Sequence, residues 1–190
     1  PAGNELSFAG AGNDLVDSSI GSGGNRLYSG TDDDEIFAGT GDRAFGGEGN
    51  DIIDASVGGG DNRLYGGAGD DDFFMGSSDR LIGNEGSDRF FAIDGGDNVI
   101  TGGLGSDQFW IANAQIPASA NTITDFTLDE DVLGIGGIDS TTEFEDLTIT
   151  QDGADTVISV GDDDLAILLG INEGDLGADQ FVIQATPEVV

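Results

Sequence analysis

The sequence predicts an all-β protein: a flattened, right-handed coil of two parallel sheets, closed at its C-terminal end by an antiparallel β cap. Three observations predict it. A glycine-rich nonapeptide recurs in register through residues 1–112, and a shorter half-unit separates successive copies. After residue 112 the chain changes to segments that alternate apolar and polar residues between Gly- and Asp-containing turns. Fixed-period self-similarity of this kind marks a solenoid, in which each turn buries its apolar face only against its neighbours.

The clearest nonapeptides are GGEGNDIID (46–54), GGAGDDDFF (66–74), GNEGSDRFF (83–91) and GGLGSDQFW (102–110), preceded by the weaker AGAGNDLVD (9–17) and SGTDDDEIF (29–37). Their sixth positions are Asp14, Asp34, Asp51, Asp71, Asp88 and Asp107, spaced 20, 17, 20, 17 and 19 residues apart. Alignment of 13–47 with 50–84 gives 18 identities in 35 positions, a double-turn period of 37.

The half-units are GGNRLY (23–28), GDRAF (41–45), GDNRLY (60–65), SDRLI (78–82) and GDNVIT (96–101). Each turn of about 18 residues thus carries two turns and two short strands. Side chains alternate across a strand with a period of two. The inward set of one sheet is then Val16, Ile36, Ile53, Phe73, Phe90 and Phe109, and of the other Leu27, Ala44, Leu64, Leu81 and Ile100; all are apolar.

Composition narrows the chemistry. The chain of 190 residues has 38 Asp and Glu against 5 basic residues, all Arg, for a net charge of −33, and it has 34 Gly and neither His nor Cys. Clustered positive charge for phosphate recognition is missing, so no nucleic-acid partner is expected. Disulfides, thiolate or imidazole metal sites and imidazole-based triads are excluded within this chain. Oxygen ligands remain, and these select hard cations. No apolar run approaches the ~20 residues of a membrane span, and the N-terminus PAGNELSFAG is not a Sec-type signal peptide.

The nonapeptide G-G-x-G-x-D-x-(large apolar)-x resembles the hemolysin-type, or RTX, calcium-binding repeat, a known β-helix signature. The resemblance covers residues 1–112 and implies a β-roll in which each calcium lies between successive loops on one edge. It implies ligation by the carboxylates of Asp14, Asp34, Asp51, Asp71, Asp88 and Asp107. It also implies backbone carbonyls from Ala9, Gly10, Ala11 and Gly12; Ser29, Gly30, Thr31 and Asp32; Gly46, Gly47, Glu48 and Gly49; Gly66, Gly67, Ala68 and Gly69; Gly83, Asn84, Glu85 and Gly86; and Gly102, Gly103, Leu104 and Gly105. Six rungs make at most five such Ca2+ sites.

Electrostatics supports the same expectation. Stacked turns put the six aspartates in a column with a rung separation of ~4.8 Å. Neighbouring carboxylates there repel by about 1 kcal/mol in water, and several-fold more at an effective dielectric of ~20. A calcium ion tolerates six to eight irregular oxygens, which suits a glycine-rich cage better than magnesium does. Asp32 replaces the fourth-position glycine of the second loop, and Ala9 and Ser29 replace first-position glycines. The Asp14/Asp34 site is accordingly expected to be weakest and the Asp51/Asp71 site strongest.

The opposite edge carries Asn25, Asp42, Asn62, Asp79 and Asn98 without the full glycine pattern, which reads as a metal-free hydrogen-bonded ladder; a weaker second row of cations around Asp42 and Asp79 is the alternative. Arg26, Arg43, Arg63 and Arg80 line up beside Tyr28, Phe45, Tyr65 and Ile82 on the second sheet. Phe37, Phe74, Phe91 and Trp110 share a column with Asp17 and Asp54 on the first. Arg stems covering the rings, with heads neutralising nearby carboxylates, is the plain account. The alternative is a binding face for a partner domain, a polysaccharide or a second copy, since contiguous exposed aromatic strips are unusual. Ice binding is disfavoured because these columns lack flat rows of Thr and Asn.

Residues 113–190 are expected to form the cap: NTITDF (121–126), DVLGI (131–135), DLTITQ (146–151), DTVISV (155–160), LAILLG (165–170) and QFVI (180–183) read as strands. The stretches ITDF (123–126) and LGADQFVI (176–183) resemble the region that follows RTX repeats in bacterial proteins exported by type I secretion. That resemblance implies an uncleaved C-terminal export signal, a secretion channel as partner and an extracellular or cell-surface location. Asp125 reads as a surface turn residue, with a ligand role at a terminal calcium the alternative. Asn4-Glu5-Leu6 matches the half-unit Asn25-Arg26-Leu27, so the chain is expected to be the C-terminal fragment of a longer secreted protein. No enzyme is expected within it, because the repeat accounts for the carboxylates.

Overall fold

The computed structural model describes residues 3–188; residues 1–2 and 189–190, the outer ends of the two expected segments, lie outside the described residues. The chain winds about seven turns between two sheets. Sheet A takes one strand from each turn: β1 (Leu6–Ala11), β3 (Arg26–Thr31), β5 (Arg43–Glu48), β7 (Arg63–Ala68), β9 (Arg80–Glu85), β11 (Val99–Leu104) and β13 (Asn121–Ile123). Sheet B takes the other: β2 (Leu15–Asp17), β4 (Glu35–Phe37), β6 (Ile52–Asp54), β8 (Asp72–Ser77), β10 (Arg89–Gly96), β12 (Gln108–Asn113) and β14 (Val132–Gly136). Both ladders are parallel throughout these turns.

The register stacks like on like. Leu27, Ala44, Leu64, Leu81 and Ile100 pair in succession on sheet A, and Val16, Ile36, Ile53, Phe73, Phe90 and Phe109 on sheet B. All eleven are buried and form one continuous core. The rings of Phe73, Phe90 and Phe109 stack at 4.8 and 5.3 Å, close to the strand spacing. Each fully buried phenyl contributes roughly 1.5–3 kcal/mol relative to exposure.

The C-terminal region departs in part from a purely antiparallel cap. β13 and β14 extend the parallel ladders by a seventh turn, because Ile123 and Leu133 continue the inward rows. The antiparallel portion is β15 (Leu147–Asp152), β16 (Asp155–Val160) and β17 (Asp163–Leu168). β17 rejoins the roll parallel to β13, and β18 (Phe181–Gln184) adds parallel to β14. Leu165, Ala166, Leu168 and Ile158 thereby cover the open end of the core. No helix among the described residues is long and apolar enough to cross a membrane.

The outer columns follow the expected registers. Phe8 extends the row of Tyr28, Phe45 and Tyr65, whose rings stack at 4.6–4.9 Å. On sheet B, Phe91 and Trp110 face outward in the strand pattern yet are buried. Phe91 lies between Phe74 and Trp110 with the Arg89 guanidinium 5.5 Å above its ring. Trp110 lies over Gly134, where any Cβ would collide with the indole. The expected pairing of the Arg26, Arg43, Arg63 and Arg80 heads with carboxylates is not formed; the bridge is made instead on sheet B, outside that column, by Arg89, which holds Asp72 in bidentate fashion at 2.6 and 2.7 Å. Among the described residues, Arg26, Arg43, Arg63 and Arg80 have no carboxylate within 4.0 Å.

Candidate metal centre

Each nonapeptide begins as the end of a sheet A strand, turns through its fourth to sixth positions and continues as a sheet B strand, so the six loops stack along one edge. Gly10, Gly30, Gly47 and Gly67 stand in register at the second position, followed by Asn84 and Gly103. Gly47 shows why the position is restricted. Its φ is +128°, and the carbonyl oxygen of Gly30 in the preceding turn lies where a Cβ would stand, leaving no room for a side chain. Asn84 adopts φ +86° at the same position.

The sixth-position aspartates form a directed ladder. The backbone N–H of Asp14 donates to Asp34 Oδ1 (2.7 Å), that of Asp34 to Asp51 Oδ1, that of Asp51 to Asp71 Oδ1, that of Asp71 to Asp88 Oδ1 (each 2.8 Å), and that of Asp88 to Asp107 Oδ1 (2.9 Å). In all six residues the second carboxylate oxygen, Oδ2, is buried and accepts no hydrogen bond. An ionised oxygen in that condition costs well over a neutral orphan's 1–3 kcal/mol. Burial, reinforced by the neighbouring charges of Asp88, Asp51 and Asp72, pushes the Asp71 carboxyl up to about 8. Burial likewise raises Asp88 to about 7, and Asp51 and Asp107 to about 6.

First-position glycines make the seats for these oxygens. At Gly46, Gly66 and Gly83 an added Cβ would collide with Oδ2 of Asp51, Asp71 and Asp88 respectively. The same point lies 2.5–3.0 Å from the next turn's first-position carbonyl, that of Gly66, Gly83 or Gly102. A bare carboxylate oxygen and a carbonyl oxygen thus face one small glycine-made space in three successive turns. Two acceptors facing each other without a donor call for a proton or a cation. Among the described residues no three acidic side chains gather at one point, so a cation here must draw most of its ligands from loop carbonyls, as a hard, flexibly coordinated ion such as Ca2+ allows. The residues therefore fit calcium.

The structure adds residues that the repeat pattern does not reveal. Asp131 is a seventh member of the ladder: its Oδ1 accepts the N–H of Asp107 (2.9 Å) and its Oδ2 that of Thr127 (2.8 Å). Its only sequence signal is Asp131-Val132-Leu133, the sixth-to-eighth motif without the glycines. Asp125 does more than sit in a turn, since its two oxygens accept the N–H groups of Gly102 and Gly103 at 2.9 and 3.0 Å and cap the last glycine loop. An outer ladder at the fifth position runs through Asp33, Asn50, Asp70 and Ser87.

The opposite edge differs in chemistry. Its ladder joins Glu5, Asn25, Asp42, Asn62, Asp79, Asn98 and Asn121 through N–H to side-chain Oδ1 bonds of 2.7–3.2 Å. Here both carboxylates have their second oxygen engaged: Asp42 Oδ2 accepts from Gly39 N–H (2.8 Å) and Ser18 Oγ (2.6 Å), and Asp79 Oδ2 from Gly76 N–H (3.3 Å). The buried orphans on this edge are donors, the Nδ2 atoms of Asn62 and Asn121. Orphaned acceptors thus lie along the glycine-loop edge and orphaned donors along the other.

A family model for the RTX calcium-binding nonapeptide repeat matches residues 19–53, 45–79 and 75–109. These are RTX calcium-binding repeats. The matched RTX stretch contains five of the six orphaned aspartates, Asp34 to Asp107, and Asp14 precedes it. Among solved structures, the chain is similar to the extracellular lipase LipA of Serratia marcescens at 15% identity and TM-score 0.37, covering 88% of this chain and 42% of the lipase. It is also similar to the AlgE6R2 and AlgE6R3 subunits of the Azotobacter vinelandii mannuronan C5-epimerase. For AlgE6R2 the identity is 21% and the TM-score 0.35, over 98% of this chain and 96% of that one. For AlgE6R3 they are 20% and 0.33, over 90% and 80%. The chain thus spans less than half of the lipase. No curated protein matches it.

Proposed function

We propose that this RTX chain is a calcium-dependent folding module that lets a larger bacterial protein leave the cell unfolded through a type I channel and fold outside, with residues 113–190 carrying the export region. The observation that supports it most directly is the file of sixth-position carboxylates whose Oδ2 is buried and unpartnered in six successive turns. Where free calcium is low, this column and a net charge of −33 oppose compaction. Outside, calcium binds the folded form alone. A site at 100 times its dissociation constant adds about 2.7 kcal/mol, so a few sites rival the whole 5–15 kcal/mol of an ordinary domain. No step in this role needs a catalytic group in the chain.

A calcium titration of the chain from EGTA to millimolar calcium, followed by far-ultraviolet circular dichroism with magnesium as control, is expected to show a cooperative coil-to-β transition with calcium alone. A chain already β-rich in EGTA at low ionic strength would overturn the folding switch.

One observation favours a second role, a calcium-stiffened binding or adhesin module: the row of Arg26, Arg43, Arg63 and Arg80 stands beside the stacked Phe8–Tyr65 column without carboxylate partners among the described residues. Replacing Tyr28 and Tyr65 together by Ser is expected to leave calcium-induced folding in place, at a cost of about 1.5–4.5 kcal/mol from three disrupted stacks. In this role it abolishes self-association or polysaccharide contact measured by sedimentation or pull-down. Loss of folding instead would make the column purely structural.

A further inference from the structure

The turns of the calcium edge are not equivalent, and the difference lies at the first loop position. In the third, fourth and fifth turns that position is Gly46, Gly66 or Gly83, the Asp Oδ2 of the same turn rests where a Cβ would be, and the following first-position carbonyl faces the same space. In the second turn the position is Ser29. Its side chain is fully buried, and its Oγ donates to the carbonyl of Gly46 at 2.8 Å, with a longer 3.3 Å approach to the carbonyl of Phe45. The Gly46 carbonyl is the counterpart of the Gly66, Gly83 and Gly102 carbonyls that face the later seats.

A hydroxyl hydrogen is therefore bonded to the carbonyl that in the later turns faces the Asp Oδ2 without a donor, while Asp34 Oδ2 itself stays unpartnered. The hydroxyl takes up one lone pair of that carbonyl and so competes with a cation for it, and Ser29 carries a side chain where the later turns have the bare glycine against which Oδ2 is seated.

We propose that Ser29 substitutes for the metal ion between the Asp34 and Asp51 loops, so that saturating calcium fills the Asp51/Asp71, Asp71/Asp88 and Asp88/Asp107 pairs and leaves the Asp34/Asp51 pair without an ion. Asp34 then acts in the roll through its hydrogen bond from Asp14 N–H and not as a ligand. The internal hydroxyl keeps the second and third turns joined when calcium is withdrawn, and it sets the number of ions the column holds. This inference rests on the reading of the column as a calcium edge.

The test is the number of calcium ions bound per full-length chain, by equilibrium dialysis and calorimetry, for the natural protein and for Ser29→Gly. The variant is expected to bind one ion more. If the natural chain binds calcium and Ser29→Gly gains no ion while remaining β-rich in calcium, the inference fails and the calcium edge stands. If the natural chain binds none, the calcium edge itself fails. Should the variant not fold, a calcium-grown crystal of the natural chain decides: anomalous density between Asp51 and Asp71 with none between Asp34 and Asp51 is expected, and an ion between Asp34 and Asp51 would overturn the inference.

Discussion

Asp71→Asn is expected to destabilise the calcium-loaded chain and to stabilise the calcium-free one. Asp71 stands between two glycine-seated loop pairs, so the substitution weakens both the Asp51/Asp71 and Asp71/Asp88 sites. At 100 times the dissociation constant, losing two sites removes about 5 kcal/mol. Without calcium the sign reverses. Asparagine keeps the Oδ1 that accepts the Asp51 N–H, as Asn62 and Asn98 do in the opposite ladder. It removes a carboxyl that burial pushes up to about 8, a gain on the order of 1–3 kcal/mol. Urea unfolding in EGTA and in millimolar calcium measures both signs. A loss of stability of equal size in both conditions would mean that Asp71 acts through the ladder bond and not through a cation.

Acidification from pH 8 to pH 5 is expected to favour folding in EGTA and to weaken calcium binding. Asp51, Asp71, Asp88 and Asp107 have folded, metal-free pKa values of about 6, 8, 7 and 6 against 3.8 in the open chain. Between pH 4 and 8 the folded form thus holds more protons than the unfolded form. Its stability is highest at the acid end of that window and falls as pH rises, by about 1.4 kcal/mol per pH unit for each excess proton. Protons and calcium compete for the same Oδ2 atoms, so the calcium midpoint should move to higher concentration as pH falls, while β content in EGTA rises. Circular dichroism across the two variables reads both trends. A calcium-free chain that loses β structure on acidification would show that these carboxyls are ionised and satisfied in the folded state.

Much of this was legible in the sequence because a parallel solenoid converts spacing directly into register. The 17-, 19- and 20-residue steps place Asp14 through Asp107 in one file and put Leu27 through Ile100 and Val16 through Phe109 inward, as the structure has them. What the spacing could not carry depends on contacts between turns. Asp131 joins the ladder from a segment without loop glycines, so only its distance from Leu133 betrays it. Ser29 reads as a mild departure from glycine until its hydroxyl is seen bonded to the next turn's carbonyl. Phe91 and Trp110 alternate outward but are buried by ring stacking and by the bare backbone of Gly134. The Arg row aligns as the repeats require, whereas pairing with acids depends on reach across the surface, and only Arg89 has Asp72 directly beside it in the neighbouring strand.

The stacked rings also give the molecule two built-in optical reporters at different heights. Its single Trp, Trp110, is 3% exposed and belongs to the sixth turn, one before the last of the roll. Its two tyrosines, Tyr28 and Tyr65, belong to the second and fourth turns and each stacks against Phe45. Indole emission therefore follows the C-terminal end, and tyrosine near-ultraviolet dichroism follows the middle of the column. Repeat arrays obey nearest-neighbour rules and need not melt as one unit. Coincidence of the two signals in a single calcium titration would mark one cooperative block, and separation would give the order in which its turns close.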